Sequence, residues 1–537
     1  MFFPKINCQE LNLEFFSLKK SELKIVKKIN YTKKHKDSTS LFNEIFKTAS
    51  YLKKIGYFTN TIDSIKKKDY KYQVFISLNK KINFAKLKIN KELNEILSDY
   101  KIANDSVKFP IENLQSNLSK ITSFLDNSGK SFSKVKLSNI KIKADTLFGE
   151  IIINESFKRT ISKVTVKGYE NFPTSYLNRF FKLKKDQVFN KSTIEKITAE
   201  SKNLRFVQEI KSPEILFTKD STFLYIYLKK INNNSVDALL NFATQEDGSF
   251  LLNGNIDLKL NNVLNTGEEF NLYWNSIAKE RQEFKISTFI PYLFNSPISP
   301  KVEFSIYRQD SSFTNTKFKT LLNYDVNSKL KLAFSYNAET SESLQNTNNE
   351  ITSFTNQFLG INVNYNQFNQ DIFNNKKLYF NINPSLGERK AENIYSYQFK
   401  FELTTEYLWE LNQRNFISLK NNTGLLNSDQ YFTNELFRIG GVNSIRGFNE
   451  QSIFTKNYSY FNFEYRFLAS TTSYFYTITD LGFINTTKNE SILGLGLGYL
   501  FINNQSKINL NIALGKTSNN NFDFNNLKLA ISWVNYF

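Results

Sequence analysis

The stretch most suggestive of built chemistry is RIGGVNSIRGFNE, residues 438–450, where Arg446 stands between Ile445 and Gly447 and follows the pair Gly440-Gly441. A charged side chain in so flexible a frame asks for a reason, because an ordinary exposed arginine on a surface hairpin would also fit it. Other chemistry is thinly supplied. His35 is the only histidine and Cys8 the only cysteine, so a triad, a zinc site, a histidine acid/base or an intramolecular disulfide lacks its parts. Carboxylates and tyrosines remain, yet no pair of them falls in a recognisable cleft signature. The reading is therefore of a chain that is not an enzyme, with no catalytic residue, no metal and no cofactor.

The elements that must carry Arg446 are legible in the composition. The 537 residues are too many for one core, and about 150 residues per domain suggests three or four units. Mean hydropathy is −0.41, and no run approaches the roughly 20 apolar residues of a helical membrane span. Phe and Tyr, at 52 and 28, point to an aromatic-rich β-protein. Residues 1–235 carry 45 Lys+Arg against 23 Asp+Glu, whereas residues 236–537 carry 25 against 27. The basic excess suits an anionic surface or acidic partner, and equally a lysine-rich bias spread over solvated faces. No nucleic-acid motif accompanies it. MFFPKINCQELNLEF has neither the apolar core nor the cleavage site of a signal peptide, and KIN before Cys8 is a poor lipoprotein box.

The first 231 residues repeat one order three times. SELKIVKKINY reads as a strand, SLFNEIFKTASYLKKIGYF as a helix stopped by Gly56, and TNTIDSIKK with YKYQVFISL as two strands. INFAKLKI, IENLQSNLSKITSFLDNSG, SKVKLSNIKIKA and TLFGEIIIN form a second unit. ISKVTVKGYENF, the helical windows TSYLNRFF and STIEKITAESKNL, then VQEIKSPEILF and STFLYIYLKK form a third. The pattern is β-α-α-β-β, and the boundaries read 1–79, 80–157 and 158–231.

After INNNS, residues 232–537 read as strands between polar clusters. SILGLGLGYLF alternates Leu493, Leu495 and Leu497 with Gly494, Gly496 and Gly498; NLKLAISWVNYF alternates Leu529, Ile531 and Trp533 with Lys528, Ala530 and Ser532. A soluble sandwich also alternates. Strands of about ten residues, which suit a tilted crossing of a bilayer, favour a barrel. So does a chain ending on a strand at Phe537, with long polar loops such as NAETSESLQNTNNEITSFTNQ.

GGVNSIRGF resembles the conserved loop of the outer-membrane assembly and translocation superfamily that includes BamA, TamA and the two-partner secretion transporters. Gly440, Gly441, Ser444, Arg446, Gly447 and Phe448 match its motif position by position. NNVLNTGEEF resembles an early-strand segment, with Asn265 where glycine is common. FNFEYRF places Glu464 at an acidic position of the twelfth strand, and TITDLGF places Asp480 and Gly482, with Ile478 for the usual Phe. Ile531, Trp533 and Phe537 resemble the C-terminal sorting strand.

The resemblance implies α+β POTRA repeats followed by an all-β, surface-antigen-type transmembrane barrel of sixteen antiparallel strands. It implies that the loop folds into the lumen and brings Arg446 to Asp480 and Glu464 on the inner wall. It also implies an outer-membrane protein with its N-terminal arm in the periplasm. That protein would receive unfolded barrel proteins on the arm and insert them into outer-membrane lipid at a lateral seam. Accessory lipoproteins or a periplasm-spanning partner are the further partners it implies, and nucleic acid is not among them. The alternative is a two-partner-type pore for one polypeptide; three repeats and no plug helix weigh against it.

Overall fold

In the computed structural model, residues 10–537 are described apart from 220, 245–249, 278–280, 345–350, 369–372, 374, 487, 504 and 519, with backbone alone at 239–244 and 250–253. Cys8 lies outside the described residues. The chain divides into two compact units. One comprises Met1–Ser162, Asp186–Thr193 and Phe217–Thr222; the other comprises Lys163–Lys185, Ile194–Leu216 and Phe223–Phe537.

The first unit holds two α+β sheets. In the first sheet the order is Lys34–His35, Leu11–Phe16, Lys71–Ser77, Thr61–Lys68, with Leu11–Phe16 parallel to Lys71–Ser77. The helix Ser38–Lys54 packs on it through Leu41, Ile45 and Leu52, spaced for one face, and Asp37 caps it by accepting from the Ser40 amide at 2.7 Å. SELKIVKKINY, expected as a strand, contains instead the helix Lys20–Val26. Its buried residues are Glu22 and Val26, one turn apart. The Glu22 carboxylate accepts the Ser17 hydroxyl at 2.8 Å and the Leu78 amide at 3.0 Å. Burial of an acid by a backbone N–H 56 residues away leaves no mark on local periodicity. His35 is buried, its Nε2 2.8 Å from the Thr32 carbonyl oxygen.

The second sheet places Phe84–Lys88 between Ser106–Pro110 and Thr146–Asn154, with Lys134–Lys143 at its edge. The helix Leu114–Asn127 covers it, and Leu87, Val107, Ile121 and Leu147 form the centre of its core.

The second unit is dominated by a closed barrel of sixteen antiparallel strands, running in chain order from Ser235–Thr244 to Lys528–Tyr536. Among the described residues no helix is long and apolar enough to cross a membrane. The outer face of the strands is apolar: Phe461, Phe463, Tyr465 and Phe467 alternate outward on Asn457–Ser470. Leu529, Ile531 and Trp533 do the same on the last strand at 66%, 67% and 58% exposure. On Ile394–Asn412, Tyr395 and Tyr397 lie near one end and Tyr407 and Trp409 towards the other. Twelve residues at about 3.4 Å each, tilted about 40°, separate these aromatic pairs by roughly 30 Å, the thickness of a bilayer core.

Within this unit one turn of the barrel meets Tyr169 and Lys230. Asn265, at φ 57°, occupies the left-handed region that asparagine tolerates, which is how it stands in for glycine. Its side-chain oxygen accepts from Tyr169 at 2.6 Å and Lys230 at 2.9 Å. Gly267, at φ 79°, lies against the Tyr176 ring, where an added Cβ would come within 2.3 Å of a ring carbon.

Candidate functional site

Residues 428–456 connect the eleventh strand, Asn415–Asn427, to the twelfth, Asn457–Ser470. The segment contains a 3₁₀ turn at Thr433–Glu435 and a short hairpin of Phe437–Ile439 with Ile453–Thr455. Gly440, Gly441 and Gly447 sit at φ 108°, 96° and 91°, so the motif glycines provide turns that an L-side chain would strain. Ser444 closes the first turn, accepting from the Gly440 amide at 2.7 Å. Ile445 is fully buried against Ile439, Tyr460, Ile484 and Ile492, with Phe448 packed beside them.

The turn presents Arg446 to the inner wall. Its backbone N and Nε both donate to Asp480 Oδ2, at 2.9 and 2.8 Å, and Nη2 donates to Oδ1 at 2.7 Å. Nη1 reaches Glu464 Oε1 at 2.5 Å. Asp480 is 0% and Arg446 8% exposed, so this is a desolvated, charge-assisted and bidentate contact. Glu464 has a second cation, which the sequence reading missed: Arg466 donates through Nε at 2.9 Å and lies 2.8 Å away through Nη2. The cluster thus holds two guanidiniums and two carboxylates. The signal lay in the motif itself, FNFEYRF, where Glu464 and Arg466 are two apart and share a strand face.

One of the alternating glycines, Gly494, acquires a meaning here together with two others. Gly482, Gly494 and Gly515 lie on the thirteenth to fifteenth strands, where the loop apex seats. A Cβ on Gly494 would fall 2.2 Å from the Arg446 carbonyl oxygen, one on Gly482 2.5 Å from Ile445, and one on Gly515 2.7 Å from the Phe448 ring. The wall is bare so that the loop backbone can approach. Gly494→Val is expected to weaken loop seating by about 2–3 kcal/mol, within the range for overpacking, read as a lower unfolding midpoint in detergent; an unchanged midpoint would show that the slot does not matter. Ile478, in place of the family's phenylalanine, is buried with Phe373, Tyr474, Tyr476, Leu500 and Ala513. Ile531 and Trp533 are exposed on the last strand, Phe537 directly follows it, and none of the three is part of the cluster. Among the described residues no group of His, Cys, Asp and Glu is disposed to hold a metal.

A sixteen-stranded barrel with an inserted, arginine-bearing loop, preceded by α+β sheets, is the architecture that the resemblance in the sequence implied. No family model and no curated protein matches the sequence. Among solved structures, CdiB from Escherichia coli is similar with a TM-score of 0.52 at 13% identity, covering 93% of this chain and 96% of that one. CdiB from Acinetobacter baumannii is similar with a TM-score of 0.52 at 15% identity, covering 83% and 86%. BamA from Haemophilus ducreyi lacking POTRA domains 1–3 gives a TM-score of 0.46 at 14% identity, covering 84% and 98%. At such identity the likeness establishes the fold alone.

Proposed function

We propose that this chain is an assembly factor of the bacterial outer membrane, with its arm in the periplasm, that inserts unfolded β-barrel proteins at a lateral seam. The observation that carries this reading is the junction of the first and last barrel strands. Ser235–Thr244 pairs with the second strand along its length, from Ser235 opposite Lys259 to Thr244 opposite Phe250. Against the last strand, by contrast, its register among the described residues is confined to Ser235 opposite Tyr536 and Val236 opposite Asn535. Phe537 adds one backbone bond, to the Asn234 carbonyl at 3.0 Å. Each such bond is worth about 0.5–1.5 kcal/mol net in water, and unpaired edge groups facing lipid are costly. The seam is therefore the cheapest place to open, and its free edges are templates for a client strand.

The arm supplies further edges. Thr61–Lys68 and Lys134–Lys143 each lie at the edge of a sheet, where an extended client can add by strand pairing. Lysines along both edges resist pairing with further copies of themselves, which suits a surface that must hold and release.

A polypeptide pore is the second reading. It is favoured by a polar chamber of about 550 Å³ in the second unit, lined by Arg205, Glu269, Glu303, Lys319, Lys376 and Tyr379 among others. Conditional depletion in the native cell separates the two. General loss of folded outer-membrane barrels is the expected result; loss of one secreted protein alone would favour the pore, and an unchanged profile would overturn both.

A further inference from the structure

The lumen loop is fastened at a second place by charged groups that take no part in the Arg446 cluster. Glu435, in the turn at the base of the loop, pairs with Arg389 of the ninth strand, Lys376–Ala391, at 2.7 Å between Oε1 and Nη1. The two side chains are 1% and 3% exposed. Gln398 of the tenth strand, Ile394–Asn412, donates to the other carboxylate oxygen at 3.2 Å. Arg389 also donates to the Gln430 carbonyl at 3.0 Å and lies over the Phe432 ring at 4.3 Å. Beside this pair, Asn434 donates to Ser341 Oγ at 2.6 Å and to the Thr352 carbonyl at 2.9 Å, and Asn315 donates to the Asn434 carbonyl at 2.6 Å. The Arg438 guanidinium stacks over Tyr307 at 3.4 Å.

These contacts bind the base of the loop to the fifth, sixth, seventh, ninth and tenth strands, whereas Arg446, Gly447 and Phe448 bind its apex to the twelfth to fifteenth. Among the described residues no side chain is shared between the two networks. Sites that share no partner contribute independently, so loss of one leaves the other in force. Buried acids and bases are retained only where each is paired, and Glu435 has one cation at hand, Arg389.

We propose that Arg389 and Glu435 form a second clasp, and that the loop leaves the lumen only when both clasps have let go. Breaking the apex clasp releases Arg446–Phe448 from the twelfth to fifteenth strands but keeps the base spanning the wall, with Gln451 still donating to Glu283 of the fourth strand at 2.9 Å and Arg281 of that strand to the Glu450 carbonyl, so the lumen stays obstructed. This holds whether the chain inserts clients at its seam or passes them through its lumen, because it concerns only how the loop is retained.

The test is ion conductance of the purified full-length protein in planar bilayers, with heat-modifiable gel mobility confirming a folded barrel in each variant. Arg446→Ala and Glu435→Gln alone are each expected to raise conductance by no more than about two-fold above the residual leak, and the double variant by about ten-fold or more, because the open population, though multiplied by each broken clasp, exceeds that leak only when both are broken. Arg389→Gln is a second way of breaking the base clasp and should reproduce Glu435→Gln. In a Cys8→Ser background, a disulfide between Asn434→Cys and Ser341→Cys added to the double variant should return conductance to the parent level until reductant is supplied. Full opening by Arg446→Ala alone, with nothing added by breaking the base clasp, would overturn the proposal. So would a folded double variant no more conductive than the parent.

Discussion

Arg446→Ala is expected to lower resistance of the barrel to unfolding by about 3–5 kcal/mol, the usual cost of removing one partner from a buried ion pair. The loss falls on Asp480, which is 0% exposed and accepts from Arg446 through its Nε, its Nη2 and its backbone N. Asp480→Ala is expected to cost a similar amount, because Arg446 then keeps a single ion pair with an acid already claimed by Arg466. Glu464→Gln is milder, about 1.5–3 kcal/mol, since Asp480 still holds the Arg446 guanidinium on two nitrogens while Arg466 loses its carboxylate. Arg446→Lys recovers only a minor share, for an ammonium cannot span both Asp480 oxygens and reach Glu464. Urea titration in detergent, followed by heat-modifiable mobility, gives the ranking. Equal losses for Glu464→Gln and Arg446→Ala, or full recovery by lysine, would contradict the geometry.

The parts legible in the sequence were those whose physics is local. Strand alternation is written residue by residue, because one face must be oily and the other polar or small, and so the strands could be read directly, whereas alternation alone left a sandwich open and the sixteen-stranded barrel came from the resemblance. The frame of Arg446 was legible because positive φ at 440, 441 and 447 calls for glycine at each. What could not be read depends on distant partners. Arg389 and Glu435 are ordinary charges until strand and loop bring them together across 46 positions. Gly494 was visible as one member of an alternation, but its purpose is the Arg446 carbonyl that rests on it. The helix Lys20–Val26 was misread as strand, and its anchor, the buried Glu22, is held by the amide of Leu78, 56 residues away.

The largest functional effect is expected at the seam. Val236 and Asn535 stand directly opposite one another on antiparallel strands, where Cα separations of about 4.5–5.5 Å suit a disulfide. Two register positions and one terminal bond are little to break; a covalent link there removes the opening motion altogether while leaving the apex and base of the loop untouched. Replacing Cys8 with serine leaves the introduced pair as the only thiols. If insertion requires the edges of Ser235–Thr244 and Lys528–Tyr536 to come apart, as proposed, a locked seam should reduce insertion by about two orders of magnitude, which corresponds to some 3 kcal/mol.

The most direct measurement is therefore made in proteoliposomes carrying the Cys8→Ser, Val236→Cys, Asn535→Cys protein and supplied with a urea-unfolded outer-membrane barrel. The oxidised protein is expected to yield almost no folded, protease-resistant client, and reductant to restore the parent yield. A quantitatively crosslinked seam that still inserts the client at the parent rate would contradict lateral assembly.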